Sequence, residues 1–528
     1  GNLYISILGD CNLDRRIFQS PQLVLICDAD LLGSGDCSDF NEANQNPAAF
    51  LAKRYMQFGD AFARDLHGWF GIILYDSEQD TIKAWTDHFG IRRLVYRQAS
   101  EALGIASDLR LLNPFFAEQP EIDPVAILEY LQYSCIPAPR TIYKDTQRLA
   151  PGHFLAWKSA ASARAYWDMS YPETRGRSLG RWANDTYEAI QSAVSLAAKR
   201  SGKSNNLGCF LSGGTDSSSI SGLVGKLTGK PPNTFSIGFE DPRYNEIEYA
   251  RIAARHFRAD HHEYFVSPED ILNLLQKAYT AYDEPFGNSS IVPTYYCARL
   301  AAQSGISHML AGDGGDELFG GNQRYASDRI FQRYAIIPAV IRSSFVEPLV
   351  AGLARATHHG YFDLAQRYIR RAGIPPPDRY SSYDFLSSIN YNELFHPSFT
   401  ASLAGTAALA AARRHFQNAQ ADCNLNRWLY LDLKITITDN DLRKVTPMTE
   451  LAGVVPRYPL LDPSLAEFSG IIPANLKVRG TRLRYLFKES MRNFLPSEIL
   501  AKKKHGFGLP FSVWLGEHKA LRQFVFDT

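Results

Sequence analysis

The hydrophobic and polar positions of this chain fall into two textures. Up to about residue 165, short alternating or apolar runs are separated by turn residues: LYISIL, LVLICDA, WFGIILYD, TIKAWTD, RLVYRQ, ALGIAS and GHFLAW. A period of two marks half-buried strands, so this part is predicted to be strand-rich, with one helix near 47–55. The stretch SYPETRGRSLG (170–180) is polar, carries Pro and Gly, and reads as a linker. Beyond it, strands LGCFL, NTFSIGF, HHEYFV and SHMLAG alternate with helical patterns near 183–199, 217–226, 246–257, 269–280 and 293–303. Such alternation implies a parallel sheet wound on both faces, with ligands bound beyond the carboxyl ends of its strands. From about 322 onward the pattern is mainly helical, AGTAALAAARRHF (404–416) being the clearest case.

Composition narrows the class. A chain of 528 residues exceeds what one hydrophobic core fills, so at least two domains are expected. The formal net charge of +1 gives no reason to expect a nucleic-acid partner. Seven cysteines, Cys11, Cys27, Cys37, Cys135, Cys209, Cys297 and Cys423, are widely spaced and never form CxxC. This argues against a disulfide framework or structural zinc and suits a reducing cytoplasm. No apolar run approaches the ~18 residues that span a bilayer, and the N-terminus lacks the features of a secretory signal. A cytoplasmic protein without a membrane partner is the expectation.

The candidate chemistry begins at SGGTDSS (212–218), a glycine turn between a strand-like run and a helical pattern. There, backbone N–H groups and a helix N-terminus are able to face an anion. It is neither a Walker A loop, since GxxxxGK[ST] is absent, nor a GxSxG elbow, since Ser212 has glycine on one side only. About 100 residues later LAGDGGDELFGG (310–321) packs Asp313, Asp316 and Glu317 around glycines at the end of an apolar strand. Carboxylates beside a polyphosphate supply the hard oxygen ligands that Mg²⁺ needs.

Together these motifs resemble the asparagine synthetase family, whose synthetase domain carries an SGGxDSS pyrophosphate loop and an acidic glycine turn. FSIGFED (235–241), YNEIEYARIAARHF (244–257), ADHHEYFV (259–266), DEPFGNSS (283–290), PRYPLLD (456–462) and LPSEILAKKKHGFGLPFSVWL (495–515) extend the resemblance in order. The implied fold is α/β: an N-terminal glutaminase-like, Ntn-type β-sandwich flanked by helices over 1–168, then a doubly wound parallel-sheet ATP-pyrophosphatase domain with helical additions over 181–528. In the family, ATP and a carboxylic acid give an acyl-adenylate and pyrophosphate, and an amine then displaces AMP. The resemblance therefore implies that Ser212, Gly213, Gly214, Asp216 and Ser217 cradle pyrophosphate, that Asp216 and Asp316 bind magnesium, and that Leu211, Ile237 and Gly312 line the adenosine pocket. It gives catalytic parts to Asp313, Asp441 and Lys504. Lys504 corresponds to the family lysine that reaches the phosphates, while Lys502 and Lys503 read as a solvated run. His261 and His262 match a family strand and read as packing residues.

Two departures bear on the reaction. In TDNDLRKVTPM (438–448), Asp441 and Lys444 are kept, but Thr446 and Pro447 replace a usual aspartate and arginine, which leaves the carboxylate substrate undefined. At the front, GWFGIILYD, DHFGIRRLVYR, ASDLRLL, DPVAILEYL and LAPGH resemble the family glutaminase in order, yet its parts are missing. Gly1 stands where a catalytic N-terminal cysteine is needed, CDADLLG (27–33) replaces the NGE loop, and DLHGWF (65–70) replaces a DGEF-like loop. The expectation is an inactive glutaminase-like domain on an ATP- and Mg²⁺-dependent, amide-forming ligase. Its amine then comes from a source other than glutamine. Ring closure within one molecule is the sharper form, since β-lactam synthetases and lasso-peptide cyclases share a degenerate front domain. The expected partners are a carboxylate substrate, small molecule or precursor peptide, and a partner enzyme of a biosynthetic pathway. Amidation by ammonia or glutamine, and a non-catalytic scaffold, are the alternatives.

Overall fold

A computed structural model describes residues 13–527 apart from 36–37, 100–101, 117, 200–205, 358–359, 384–388, 390, 402, 404–406 and 503–507. The chain forms two compact units, one ending at 122 and resuming over 138–168, the other comprising 123–137 and the residues from 169 onward.

The first unit holds nine described strands: β1 (Ile17–Gln19), β2 (Leu23–Ser34), β3 (Leu66–Asp76), β4 (Thr81–Thr86), β5 (Val95–Ala99), β6 (Ala102–Ala106), β7 (Thr146–Arg148), β8 (His153–Trp157) and β9 (Ala161–Ala165). They form an antiparallel sheet in the order β1-β2-β3-β4-β8-β9 and a smaller one in the order β6-β5-β7. Ala84, Leu155 and Ile73 of the large sheet meet Tyr96, Leu103 and Ile105 of the small one, which makes a sandwich core. On the far face, Phe50, Leu51 and Tyr55 of the helix Pro47–Phe58 pack on Leu25, Leu74 and Trp85. The LYISIL run contains residues outside those described.

The second unit is built on β10 (Leu207–Phe210), β11 (Asn233–Gly238), β12 (Asp260–Phe265), β13 (His308–Leu310) and β14 (Val455–Arg457). All are parallel, in the order β12-β11-β10-β13-β14. Helices Thr215–Thr228, Ile247–Phe257 and Ile291–Gln303 make the crossovers of this doubly wound sheet. The chain leaves β10 toward β11 on one side and returns through β13 on the other, so the strand order reverses beside β10. In open α/β sheets a crevice forms outside the carboxyl ends at that reversal. Both SGGTDSS and GDGGDE lie there, one after β10 and the other after β13.

Three features were not visible in the sequence pattern. The helix Pro124–Tyr133, read with the front domain, belongs to the second unit, where Tyr133 Oη donates to Ala408 O at 2.9 Å and Asn440 Nδ2 donates to Tyr133 O at 3.0 Å. Of the helix predicted over 404–416, residues 404–406 lie outside those described, Ala407–Leu409 form a tight turn and the helix runs over Ala410–Asn418. An alanine-rich run is helix-prone throughout and does not mark its own start. Finally, Leu433–Asp441 is π-helical and joins the helices Asn424–Asp432 and Leu442–Leu451. Among the described residues no single helix is long and apolar enough to cross a membrane.

Candidate active site

The turn after β10 is pinned on both sides. Leu211 N donates to Phe235 O at 2.9 Å, and the Ser236 hydroxyl donates to Leu211 O. Ser217 Oγ accepts from Ser212 N at 3.2 Å and lies 3.0 Å from Ser212 Oγ, closing the loop on itself. Gly213 has φ +67, and a Cβ there would fall 2.4 Å from Ala250 N and from Tyr249 C. Only glycine meets both conditions. The helix Thr215–Thr228 starts directly from this turn with no side-chain cap. Its first-turn N–H groups and positive dipole end suit an anion.

A cavity of about 1110 Å³ opens here, and Leu211, Ser212, Gly214, Asp216, Ser217, Ile237, Gly312, Asp313, Asp316 and Asp441 all line it. Gly213 lies instead against the backbone of Tyr249 and Ala250. Lys504 falls outside the described residues.

The acidic turn comes in from β13. At Gly315 a Cβ would stand 2.6–2.8 Å from the Asp216 carboxylate, so glycine is what lets the two motifs touch. Between them lies Arg484, which no motif in the sequence marks. Its Nε donates to Asp316 Oδ1 at 2.7 Å, its Nη2 is 2.7 Å from Asp216 Oδ2 and also contacts Asp316 Oδ1, and its Nη1 donates to Thr215 Oγ1. Arg484 adopts φ +52, a left-handed conformation costing about 1–2 kcal/mol for a non-glycine residue, and its N–H donates to Gly320 O at 3.0 Å. Burial disfavours its charge, but Asp216 and Asp316 outweigh burial and raise its pKa above the usual arginine value.

Asp216 and Asp316 thus bring hard oxygens to one shared cationic atom. No group of three or more His, Cys, Asp or Glu forms a protein-only metal cage among the described residues. Two carboxylates with open cavity beside them fit magnesium, which takes one or two carboxylates and completes its shell from phosphate and water.

A second charged cluster lies on the cavity wall. Lys444 Nζ is 2.7 Å from Asp441 Oδ1 and 4.0 Å from Asp313 Oδ1. Burial pushes the Asp313 carboxyl up to about 6, with Lys444 pulling it down and Asp441 pushing it further up. The π-helical segment brings Asp441 to the cavity, a common use of such a break. Arg443 turns the other way, donating to Asp283 Oδ1 at 2.9 Å and to Glu284, so the DEPF stretch anchors this helix. Thr446 is buried and bonds Tyr458 Oη at 2.7 Å, while Pro447 lies inside the helix.

Lys502, read as solvated, is instead largely buried. Its Nζ is 3.0 Å from Glu246 Oε2, 3.4 Å from Ser212 O and over the Tyr249 ring. His261 bonds Thr234 Oγ1 at 2.9 Å and His262 stacks on Phe235, as expected of packing residues.

A family model for asparagine synthase matches residues 187–528, and one for a glutamine amidotransferase domain matches 44–167. The chain belongs to the asparagine synthase family. Among curated members of that family, "Asparagine synthetase [glutamine-hydrolyzing] 1" of Bacillus subtilis is 24% identical over 88% of this chain and 71% of its own length. A "Putative asparagine synthetase [glutamine-hydrolyzing]" of Mycobacterium tuberculosis is 26% identical over 87% of this chain and 70% of its own. "Amidase chyE" of Penicillium rubens is 23% identical over 92% of this chain and 76% of its own.

CDADLLG lies within β2, with Cys27 opposite Ile72 and Asp30 opposite Trp69. DLHGWF runs directly into β3 along the same ladder. Cys27 is buried and its thiol is pushed up to about 12, chiefly by burial. A buried thiol held that far from ionising is no nucleophile at neutral pH.

Proposed function

We propose that this asparagine synthase-family chain is an ATP-dependent ligase that adenylates a carboxylate, releases pyrophosphate and couples the acyl group to an amine other than glutamine-derived ammonia. The observation that carries the reading is the convergence of the phosphate loop, Asp216 and Asp316 in one cavity at the strand-order reversal.

In this reading Ser212, Gly214, Ser217 and the first-turn amides of Thr215–Thr228 hold the phosphates, with the base of ATP toward Leu211, Ile237 and Gly312. Asp216 and Asp316 hold magnesium, which neutralises charge on the departing pyrophosphate. Lys504 follows in sequence from Lys502, whose Nζ reaches the phosphate loop, and the reading keeps it as a phosphate contact. On the far side, the Asp313 carboxylate accepts the proton of the attacking ammonium group. A carboxyl near 6 suits that task at neutral pH. Lys444, beside Asp441 and Asp313, steadies the negative charge of the cluster and orients Asp313.

The lack of NGE and DGEF-like motifs in CDADLLG and DLHGWF supports an amine from elsewhere than glutamine. The cavity of about 1110 Å³ must hold ATP together with the carboxylate substrate. Intramolecular ring closure, to a macrolactam or β-lactam, is the sharper form. The names of the Bacillus and Mycobacterium relatives, which print "glutamine-hydrolyzing", favour the second reading, amidation by ammonia or glutamine. Mass spectrometry of reactions run with ¹⁵N-ammonium or amide-¹⁵N-glutamine separates them. Ring closure gives a product lacking one water relative to a single substrate and carrying no ¹⁵N. Label from glutamine in the product sinks the proposed amine source.

A further inference from the structure

We infer that Arg484 is a built-in counter-cation that keeps the two magnesium-binding carboxylates closed, so that the metal enters only together with the nucleotide. This rests on the ligase reading above and adds an order of binding to it. Nη2 of one guanidinium contacts both Asp216 Oδ2, at 2.7 Å, and Asp316 Oδ1. A divalent ion shared by those carboxylates competes for the same oxygens. The same guanidinium also holds the Thr215 hydroxyl at the start of the helix behind the phosphate loop. It therefore ties together all three parts of the site that the metal–nucleotide complex must engage.

Arg484 is not a mobile surface charge that has settled on a pair of acids. Its side chain is 12% exposed, and the Gly320 carbonyl holds its N–H in a left-handed backbone conformation. A guanidinium stays charged at any working pH, so its own titration does not open the arrangement. A free divalent ion has to break a buried, multidentate ion pair and take from the arginine the two carboxylates it bridges, which is costly. The metal–nucleotide complex faces no such loss, because its phosphates offer the released guanidinium new oxygens while the metal takes the carboxylates. The exchange conserves charge pairing. It also selects against free divalent ions occupying the empty site.

The test is Mn²⁺ binding to the full-length protein, followed by electron paramagnetic resonance, with and without a non-cleavable α,β-methylene analogue of ATP. Wild type should bind Mn²⁺ with the analogue and about ten-fold or more weakly without it, whereas Arg484→Met should gain about ten-fold in analogue-free affinity. The gain should vanish in Arg484→Met/Asp316→Asn. Arg484→Lys, which keeps the charge but cannot span both carboxylates and Thr215, should show a smaller gain and serves if the Met variant does not fold. Equal analogue-free affinity in wild type and both Arg484 variants overturns the counter-cation while leaving the ligase reading intact. Failure of Mn²⁺ to bind wild type even with the analogue overturns both.

Discussion

At the scale of single residues, the chemistry of the cavity turns on carboxylates in unlike surroundings. Asp216 and Asp316 share a guanidinium, whereas Asp313 is buried with Lys444 4.0 Å away and Asp441 as a second acid. Its folded pKa of about 6 lies above the unfolded value near 4, so between those limits the folded state binds more protons than the unfolded chain. Stability contributed by this group is full below about pH 4 and is lost as pH rises through about 6. Wild type should therefore lose roughly 1–3 kcal/mol relative to Asp313→Asn between about pH 4 and pH 7.5, read from denaturant midpoints at the two pH values. A constant difference between the two proteins would show that folding does not raise the Asp313 pKa. Arg484 and Lys502 carry the lesson on legibility at this scale. Arg484 lies 168 residues from Asp316, among Arg479, Arg482 and Arg492, and nothing local distinguishes it. Lys502 stands in a run of three lysines whose plain reading is a solvated surface, and only the approach of Glu246 and Ser212 removes it from water.

At the scale of elements, the legible features were those set by short-range sequence. SGGTDSS carries its turn, its helix start and its glycine requirement within seven residues, and the alternation of strands and helices around it set the parallel sheet. The π-helical segment Leu433–Asp441 was not legible, because LKITITDND has no signature of its own and is fixed by packing between two helices. The glycine requirement yields a sharp expectation. Gly213→Ala adds a Cβ 2.4 Å from backbone atoms of Tyr249 and Ala250 and forces alanine to φ +67. The strain is about 1–2 kcal/mol before the clash, enough to shift the loop. The variant should keep its far-ultraviolet circular dichroism and lose nucleotide binding by about 100-fold in isothermal titration calorimetry. Unchanged nucleotide affinity would mean that the loop does not hold the phosphates.

At the scale of the molecule, the chain is built of two units, the first matching a glutamine amidotransferase model over 44–167 and the second an asparagine synthase model over 187–528. The second keeps a phosphate loop, paired carboxylates and a reversal of strand order that brings them together. In the first, CDADLLG and DLHGWF lie on the paired strands β2 and β3, whose register shifts between Leu31 and Gly33. The division itself was readable from the change in hydrophobic texture near residue 165. The transfer of Pro124–Tyr133 to the second unit was not, since its contacts with residues 408 and 440 are invisible to local pattern. The central claim is that ATP is cleaved between its α and β phosphates to activate a carboxylate. It is tested most directly by exchange of ³²P-pyrophosphate into ATP across a panel of carboxylic acids and peptides. The account predicts exchange that depends on the acid and is abolished in Asp316→Ala. Acid-dependent formation of ADP and phosphate, or exchange that survives in Asp316→Ala, would contradict it.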